Sequence, residues 1–279
     1  MQVPPTSDPA AEPPATPLAT LGEDLILLSV RPGDGKLLTG KNLAFGLAGA
    51  ELARLAVMSR ITVTRDQIVV VDPAGTGQDD LDGLLAALAG GGPPPHPATW
   101  IGLSRADLLD VCLNRLVAAG TVTERRPSTL RAGFVGGSRV GSRRFTTVAT
   151  GRAAHAGARL DAIARSGDVS LAPAQLALGG LAAAIGLPRF RYPGRDGRPE
   201  RNRLAGIATH IAPAENGKRR PVEDAETSSP DARTSVYAIS WAALLAARNL
   251  APRPSRTSRR NLSNWTALHP PGPASDRNS

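Results

Sequence analysis

Apolar residues recur with helical spacing over much of the chain. Between residues 43 and 58 nearly every position is apolar or glycine, and the only charges, Glu51 and Arg54, stand three residues apart on one stripe. A helix that is apolar almost all round is normally buried. Gly46 and Gly49 lower the intrinsic stability of this helix, so we predict that a neighbouring element packs closely against them.

The same spacing predicts further helices, and alternating β-branched residues predict two hairpins. The helices are expected to begin near Gly22 and to cover residues 80–89, 104–119, 152–165, 175–185 and 236–249. The hairpins are expected to pair residues 61–64 with 67–71, and residues 121–125 with 144–149. Each hairpin follows a helix directly, so we interpret the pair as one supersecondary unit used twice. The predicted fold class is mainly α, with short β-hairpins.

Composition divides the chain into segments. Residues 1–20 are rich in Pro, Ala and Thr, and we expect a disordered N-terminal segment. A helical domain is predicted over 21–210, a disordered insert over 211–235 and a terminal helix over 236–250. Residues 251–279 are rich in Pro, Ser, Arg and Asn, which indicates a disordered basic tail.

Charge is spread unevenly along the chain. Residues 1–120 hold 8 basic and 13 acidic residues, whereas residues 121–279 hold 25 and 11. This asymmetry favours an anionic partner for the second half, such as nucleic acid, a membrane surface or an acidic protein. The alternative is a basic disordered tail combined with the arginine bias of a GC-rich genome.

Candidate chemistry is sparse. Cys112 is the one cysteine and lies on the apolar face of a predicted helix, so we expect a core residue in a protein of the reducing cytoplasm. The four histidines lack metal-ligand spacing, and no phosphate-binding loop, dinucleotide motif or nucleophile elbow is present. The acids at residues 72–82 are best explained by the dipole of a helix N-terminus. We therefore predict a protein that is not an enzyme and has no cofactor.

Membrane contact is expected to be peripheral. The N-terminus lacks the pattern of a signal peptide, and no run of 18 apolar residues is present. A cytoplasmic location is predicted, on the inner face of a membrane when the protein is bound to one.

The second predicted hairpin is the most basic feature. The arginines around it are Arg125, Arg126, Arg131, Arg139, Arg143 and Arg144, and Phe134 and Val135 lie between them. Guanidinium groups recognise phosphate in a planar, bidentate manner, and a basic loop with an apolar tip suits an anionic surface. A solvated loop with incidental arginines is the alternative. A helix followed by a basic hairpin is also the layout of a winged helix, which predicts a DNA-binding regulator as a second hypothesis.

Several segments resemble the Golgi phosphoprotein 3 family in order and spacing. Residues 22–28 (GEDLILL) and 45–52 (FGLAGAEL) resemble the opening of that family, an acidic pair and leucines followed by a Gly-Leu-x-Gly helix. Pro73, Thr76-Gly77 and Leu81-Asp82 are similar to its Pro-Thr-Gly-Asp-x-x-Leu-Asp stretch. Residues 115–120 (RLVAAG) are similar to a helix end of the family, and residues 178–187 are similar to its late apolar helix. The resemblance covers residues 21–205, is closest to the bacterial members, and ends in a region that departs from the family.

The resemblance implies a single, mainly α-helical domain with a protruding β-hairpin. Eukaryotic members bind phosphatidylinositol 4-phosphate on Golgi membranes, hold cytosolic protein tails and self-associate through the hairpin. The family's lipid site uses a Trp and three arginines, and the corresponding positions here are Thr39, Ala48, Ala106 and Leu109. None of these four residues matches the family's site.

The resulting hypothesis is a peripheral, adaptor-like protein that binds phosphoinositide or other anionic phospholipid headgroups. The candidate headgroup contacts are chosen for charge and for proximity to the family's site-bearing segments. They are Lys36, Lys41, Arg105, Arg125, Arg126, Arg143 and Arg144. Protein tails and self-association through the hairpin are further expected contacts, and nucleic acid is the partner under the winged-helix alternative.

Overall fold

A computed structural model describes residues 21–40, 42–64, 67–90, 95–103, 105–125, 143–166, 171–209 and 232–248, with the backbone alone for 105–107. These residues form ten α-helices and two hairpins, as the mainly α prediction expected. The first helices are α1 Leu21–Ser29, α2 Asn42–Val57, α3 Asp79–Ala89, α4 Pro97–Leu103 and α5 Arg105–Ala118. The later helices are α6 Thr150–Arg165, α7 Pro173–Ala184, α8 Pro188–Arg191, α9 Arg198–Thr209 and α10 Ala232–Ala247.

Both hairpins form antiparallel pairs close to the predicted positions. In the first, β1 (Ile61–Thr64) pairs with β2 (Gln67–Val70), and in the second β3 (Val122–Arg125) pairs with β4 (Arg144–Thr147). The tip of the second hairpin, on which its predicted protrusion depends, lies outside the described residues.

The core is built on close approach between helices. A Cβ atom at Gly46 would lie 2.7 Å from a methyl group of Ile185, and one at Gly49 would lie 2.6 Å from Leu181. Both distances are below ordinary van der Waals contact, so glycine lets α2 and the α7 segment pack against each other. The predicted close packing at these two glycines is confirmed.

Helix α10 completes this core from a distant part of the sequence. It packs on α2, α4 and α7, and most of its residues are buried. The Ser235 hydroxyl accepts a hydrogen bond from the backbone N–H of Val63 at 3.2 Å and lies 3.2 Å from the Thr62 hydroxyl. These polar contacts therefore fix the orientation of α10 relative to β1, while apolar burial stabilises its packing.

Three helices were not anticipated from the sequence. Helix α4 follows a proline-rich stretch and buries Trp100 and Ile101, while α8 is four residues long. Helix α9 is strongly polar and buries only Leu204, Ile207 and Ala208 among its own residues. Segments this short or this polar show too little apolar periodicity to be recognised, and their packing partners stabilise them.

Helix α1 is fixed to α6 by two ion pairs. Glu23 pairs with Arg152, and the buried Asp24 carboxylate accepts a hydrogen bond from Arg159 at 2.6 Å. Burial raises the pKa of Asp24 even though Arg159 opposes the shift. The acidic pair thus positions α1 beside α6, and these two helices form two walls of the cleft described next.

Candidate anion-binding cleft

A tight turn after α1 lies against the second hairpin. The turn is closed by a bridge between Val30 and Leu37, and the backbone N–H of Phe145 in β4 donates to the Gly35 carbonyl at 2.8 Å. Gly35 has a φ of +66°, and a Cβ atom there would lie 2.1 Å from the Phe145 carbonyl oxygen. Only glycine allows the turn to approach β4 this closely.

Two arginines face each other at the end of the hairpin. Arg125 in β3 is opposite Arg144 in β4, and Thr123 is opposite Thr146 on the same face. Like charges directly across a ladder are destabilising. Arg125 is exposed and forms no ion pair with the described residues, while Nη1 of Arg144 is buried without a hydrogen-bond partner among them. Arg125 therefore offers exposed guanidinium donors to an anion, and Arg144 adds an unsatisfied but buried donor beside it.

One carboxylate, that of Asp34, lies among these cations. It accepts hydrogen bonds from the backbone N–H of Lys36 at 3.0 Å and from Arg31 at 3.2 Å. The backbone hydrogen bond is the main reason that the pKa of Asp34 is lowered, and the charges of Arg31, Arg144 and Lys36 lower it further. A single acid is thus shared by three nearby cations, which leaves this surface positively charged.

The turn and the hairpin border an open cleft of about 630 Å³. Its other walls are the end of α1, at Leu27 and Leu28, the start of α6, at Thr150 and Ala153, and α8 with the residue before it. Among its lining residues the charged ones are Arg31, Arg125 and Arg191, and none is acidic. The remaining lining residues are mainly apolar, so the cleft has a cationic rim and an apolar wall.

Arg191 is held rigidly at this rim. Its Nε and Nη2 donate to the two oxygens of Asp161 in α6 at 2.9 and 2.8 Å, and the Tyr192 hydroxyl donates to the same carboxylate at 2.7 Å. The hydrogen bond from Arg191 is the largest cause of a lowered Asp161 pKa, and the same bond raises the pKa of Arg191. This pairing ties α8 to α6 at the cleft.

Three of the seven predicted headgroup contacts lie in this region. Lys36 is exposed on the turn, and Arg125 and Arg144 share one face of the hairpin. The structure places Arg143 differently, since it pairs with Glu124 at 2.7 Å and with Asp110 at 2.9 Å. The hydrogen bond to Glu124 is the main reason that the pKa of Arg143 is raised. The remaining predicted contacts lie outside the described residues: Lys41 and Arg126 entirely, and Arg105 in its side chain.

Three of the four positions that correspond to the family's lipid site are buried. Thr39 is buried, with its hydroxyl 3.4 Å from that of Ser29, and Ala48 and Leu109 are also buried. The side chain of Ala106 lies outside the described residues. The cleft at the end of the second hairpin is therefore formed by other residues of this chain.

Sequence reasoning missed Arg31 and Arg191. The two residues are far apart in the sequence, and only the packing of α1, α6 and α8 brings them to one cleft. A signal was present for Arg31, which precedes the Pro32-Gly33 turn and so stands on a rigid connection. Arg191 belongs to an arginine-rich stretch without periodicity, which gave no indication of its orientation.

Other chemistry is limited within the described residues. They contain no group of three or more His, Cys, Asp or Glu side chains placed to hold a metal ion. Burial raises the pKa of the Cys112 thiol to about 12, so the nucleophilic thiolate is disfavoured. No helix in the described part of the chain combines the length and apolar character that a bilayer crossing requires.

Comparison with known proteins identifies the family. No curated protein gives a significant match. The family model of Golgi phosphoprotein 3 (GPP34) matches residues 21–274. The match continues well beyond residue 205, where the resemblance was predicted to end, so that prediction was wrong and α10 falls within the family region. The chain belongs to the Golgi phosphoprotein 3 (GPP34) family.

Proposed function

We propose that this protein is a peripheral binding protein for anionic phospholipid headgroups of the phosphoinositide type, and that it acts as an adaptor without catalysis. The observation that carries the proposal is the Arg125–Arg144 pair, which stands on one face of the hairpin with the carboxylate of Asp34 near Arg144. Family membership supports the same class of ligand.

Phosphate is the anion that this surface suits best. Guanidinium groups offer several N–H donors in a plane, and phosphate oxygens can accept from more than one of them at once. Lys36 and Arg31 lie on the adjoining turn, which Gly35 holds against β4. A phosphomonoester of two negative charges at this site would offset the repulsion between Arg125 and Arg144.

The DNA-binding alternative receives less support from α5. Base readout requires side chains that are free to reach base edges. Arg115 instead forms an ion pair with Asp80 at 3.4 Å, and the Asn114 side chain accepts a hydrogen bond from Arg143 at 3.4 Å. Two of the three outward polar groups of α5 that a winged helix would use are thus engaged with the protein itself, and the side chain of the third, Arg105, lies outside the described residues.

Vesicle co-sedimentation tests the proposal. Vesicles of phosphatidylcholine alone are compared with vesicles that also contain phosphatidylinositol 4-phosphate or phosphatidylserine, at physiological ionic strength. We expect capture by anionic vesicles only. Each basic residue near such a surface contributes about 1 kcal/mol, so the double variant Arg125→Ala/Arg144→Ala should bind about 30-fold more weakly.

Arg165→Ala is the matched control, because Arg165 is also exposed but lies at the other end of α6. The helical rise of about 1.5 Å per residue puts it roughly 22 Å from Thr150 at the cleft. Equal recovery with neutral and anionic vesicles, or an equal loss in the double variant and in Arg165→Ala, would contradict the proposal. A salt-sensitive shift of duplex DNA without vesicle capture would support the alternative.

A further inference from the structure

We infer that the cleft binds one phospholipid as a whole amphiphile, with the phosphate at the arginine rim and part of an acyl chain against the apolar wall. This inference rests on the proposed affinity for anionic headgroups and goes further by assigning the chain a place in the protein. A headgroup reader that only touches the bilayer surface would need the arginines and not the cleft.

The size of the cleft is the first argument. Its volume of about 630 Å³ lies within the range of sites that enclose most of a small organic ligand. A phosphate group on the arginines would occupy only a small part of that space. An occupant that fills this cleft would therefore need a second portion that extends along the remaining lining.

The polarity of the lining identifies that second portion. Leu28, Leu38 and Phe190 line the cleft and are only partly buried, and Ala153 and Ala154 of α6 lie beside them. Apolar surface of this kind gains free energy when it is removed from water. Thr146, Thr147 and Thr150 also line the cleft, but against these five side chains the polar groups of a sugar or a nucleoside would be unpaired, whereas a hydrocarbon chain has none to pair.

The position of the arginines beside the apolar wall excludes a plain apolar ligand. Arg31, Arg125 and Arg191 stand at the rim of the same cleft, and its lining has no acidic residue. Arg191 is already paired with Asp161, and Arg31 is paired with Asp34 in an exposed ion pair, so Arg125 carries the least compensated charge. An anionic head and an apolar chain within one molecule match these adjacent surfaces.

The test uses monomeric short-chain lipid, so that no bilayer is present. Isothermal titration compares dihexanoyl phosphatidic acid, below its micelle concentration, with glycerol 3-phosphate and with dihexanoyl phosphatidylcholine. We expect the phosphatidic acid to bind most tightly. Its advantage over glycerol 3-phosphate should be roughly fourfold for each methylene that leaves water.

Two variants distinguish the contribution of the apolar wall to lipid affinity from that of the arginine rim. Ala154→Phe places a ring in the cleft from an exposed helix position and should lower the affinity for the phosphatidic acid more than the affinity for glycerol 3-phosphate. Ala86→Phe is the matched control, since Ala86 is exposed on α3, which lines no part of the cleft. Arg125→Ala should weaken both phosphate ligands. Circular dichroism melting curves verify that each variant is folded.

The outcomes are distinct for the two proposals. Equal affinity for glycerol 3-phosphate and phosphatidic acid, or no effect of Ala154→Phe, would overturn the inference. Anionic vesicle capture without binding of the short-chain lipid would leave the proposed function standing and overturn the inference. Binding of the short-chain lipid without vesicle capture would support the chain site and contradict a role at membranes.

Discussion

Helices α2, α5 and α7 end with the same pattern of backbone hydrogen bonds, in which the chain turns at a residue with positive φ. In α2 that residue is not a glycine. After α5 and α7 the left-handed position is Gly120 and Gly186, whereas after α2 it is Ser59, with a φ of 57°. The N–H of Arg60 bonds to the Leu55 carbonyl at 2.9 Å, which completes a Schellman motif at the end of α2. A side chain in this conformation is strained, because its Cβ atom approaches the following carbonyl.

Ser59→Gly is therefore expected to stabilise the protein by about 0.5–1 kcal/mol, since relief of the strain exceeds the added entropy of the unfolded chain. Gly120→Ser, at the matching cap of α5, should lower the free energy of unfolding by a similar amount. Urea denaturation of both variants measures the two differences. A loss of stability in Ser59→Gly would contradict the strain argument and indicate that the serine side chain contributes an interaction of its own.

The sequence predicts individual residues well where a local pattern constrains them. Gly46 and Gly49 indicated close packing, because a glycine inside an apolar helix costs stability and is usually explained by a close neighbour. Arg125 and Arg144 were predicted for their charge and their place at one predicted hairpin, and the structure adds that they stand opposite each other. Arg191 was not predicted, because its place at the cleft depends on the ion pair with Asp161, thirty residues earlier in the chain.

At the scale of elements, the same helix-and-hairpin unit occurs twice in one core. Helix α2 leads through its cap into β1, α5 leads through its cap into β3, and the two helices pack on each other. The two hairpins pack against different neighbouring elements. The second hairpin receives the turn after α1 against its β4 strand, so the basic cleft develops there. Periodicity predicted both units, but the docking of the turn depends on a long-range hydrogen bond.

Two glycines of that turn allow a controlled test of this docking. Gly33 and Gly35 both have positive φ, but an added Cβ atom meets nothing within 4 Å at Gly33 and the Phe145 carbonyl at Gly35. Gly33→Ala should cost about 1–2 kcal/mol of stability from backbone strain alone. Gly35→Ala should cost more, and it should also weaken vesicle binding, because the clash moves Arg31 and Lys36 away from the hairpin.

Melting curves and vesicle co-sedimentation on both variants measure these effects. If the two variants lose stability and vesicle binding equally, the contact between the turn and β4 does not organise the cationic surface. A larger loss of binding in Gly35→Ala, at temperatures where both variants are folded, would connect the geometry of the turn to the proposed function.

At the scale of the whole molecule, the last described helix belongs to the same core as the first ones. Helix α10 lies beyond residues 210–231, yet it packs on α2, α4 and α7 and contacts β1. The apolar character of residues 236–249 predicted a helix but not its central place. Apolar periodicity shows that a face is buried and does not show which partner covers it, so the docking of α10 was beyond prediction.

Two serines on α10 test whether that docking is specific or only hydrophobic. Ser235 and Ser240 are both fully buried, but Ser235 bonds to the N–H of Val63, whereas the Ser240 hydroxyl lacks a hydrogen-bond partner among the described residues. Ser235→Ala leaves the Val63 N–H unsatisfied in the core and should cost about 1–3 kcal/mol. Ser240→Ala removes an unpaired hydroxyl beside Gly180 and should be neutral or stabilising. Chemical denaturation of the two variants gives the comparison. Equal changes in stability would mean that the hydrogen bond to Val63 adds nothing measurable to the docking of α10, whereas a loss confined to Ser235→Ala would show that this contact with β1 stabilises the docked helix.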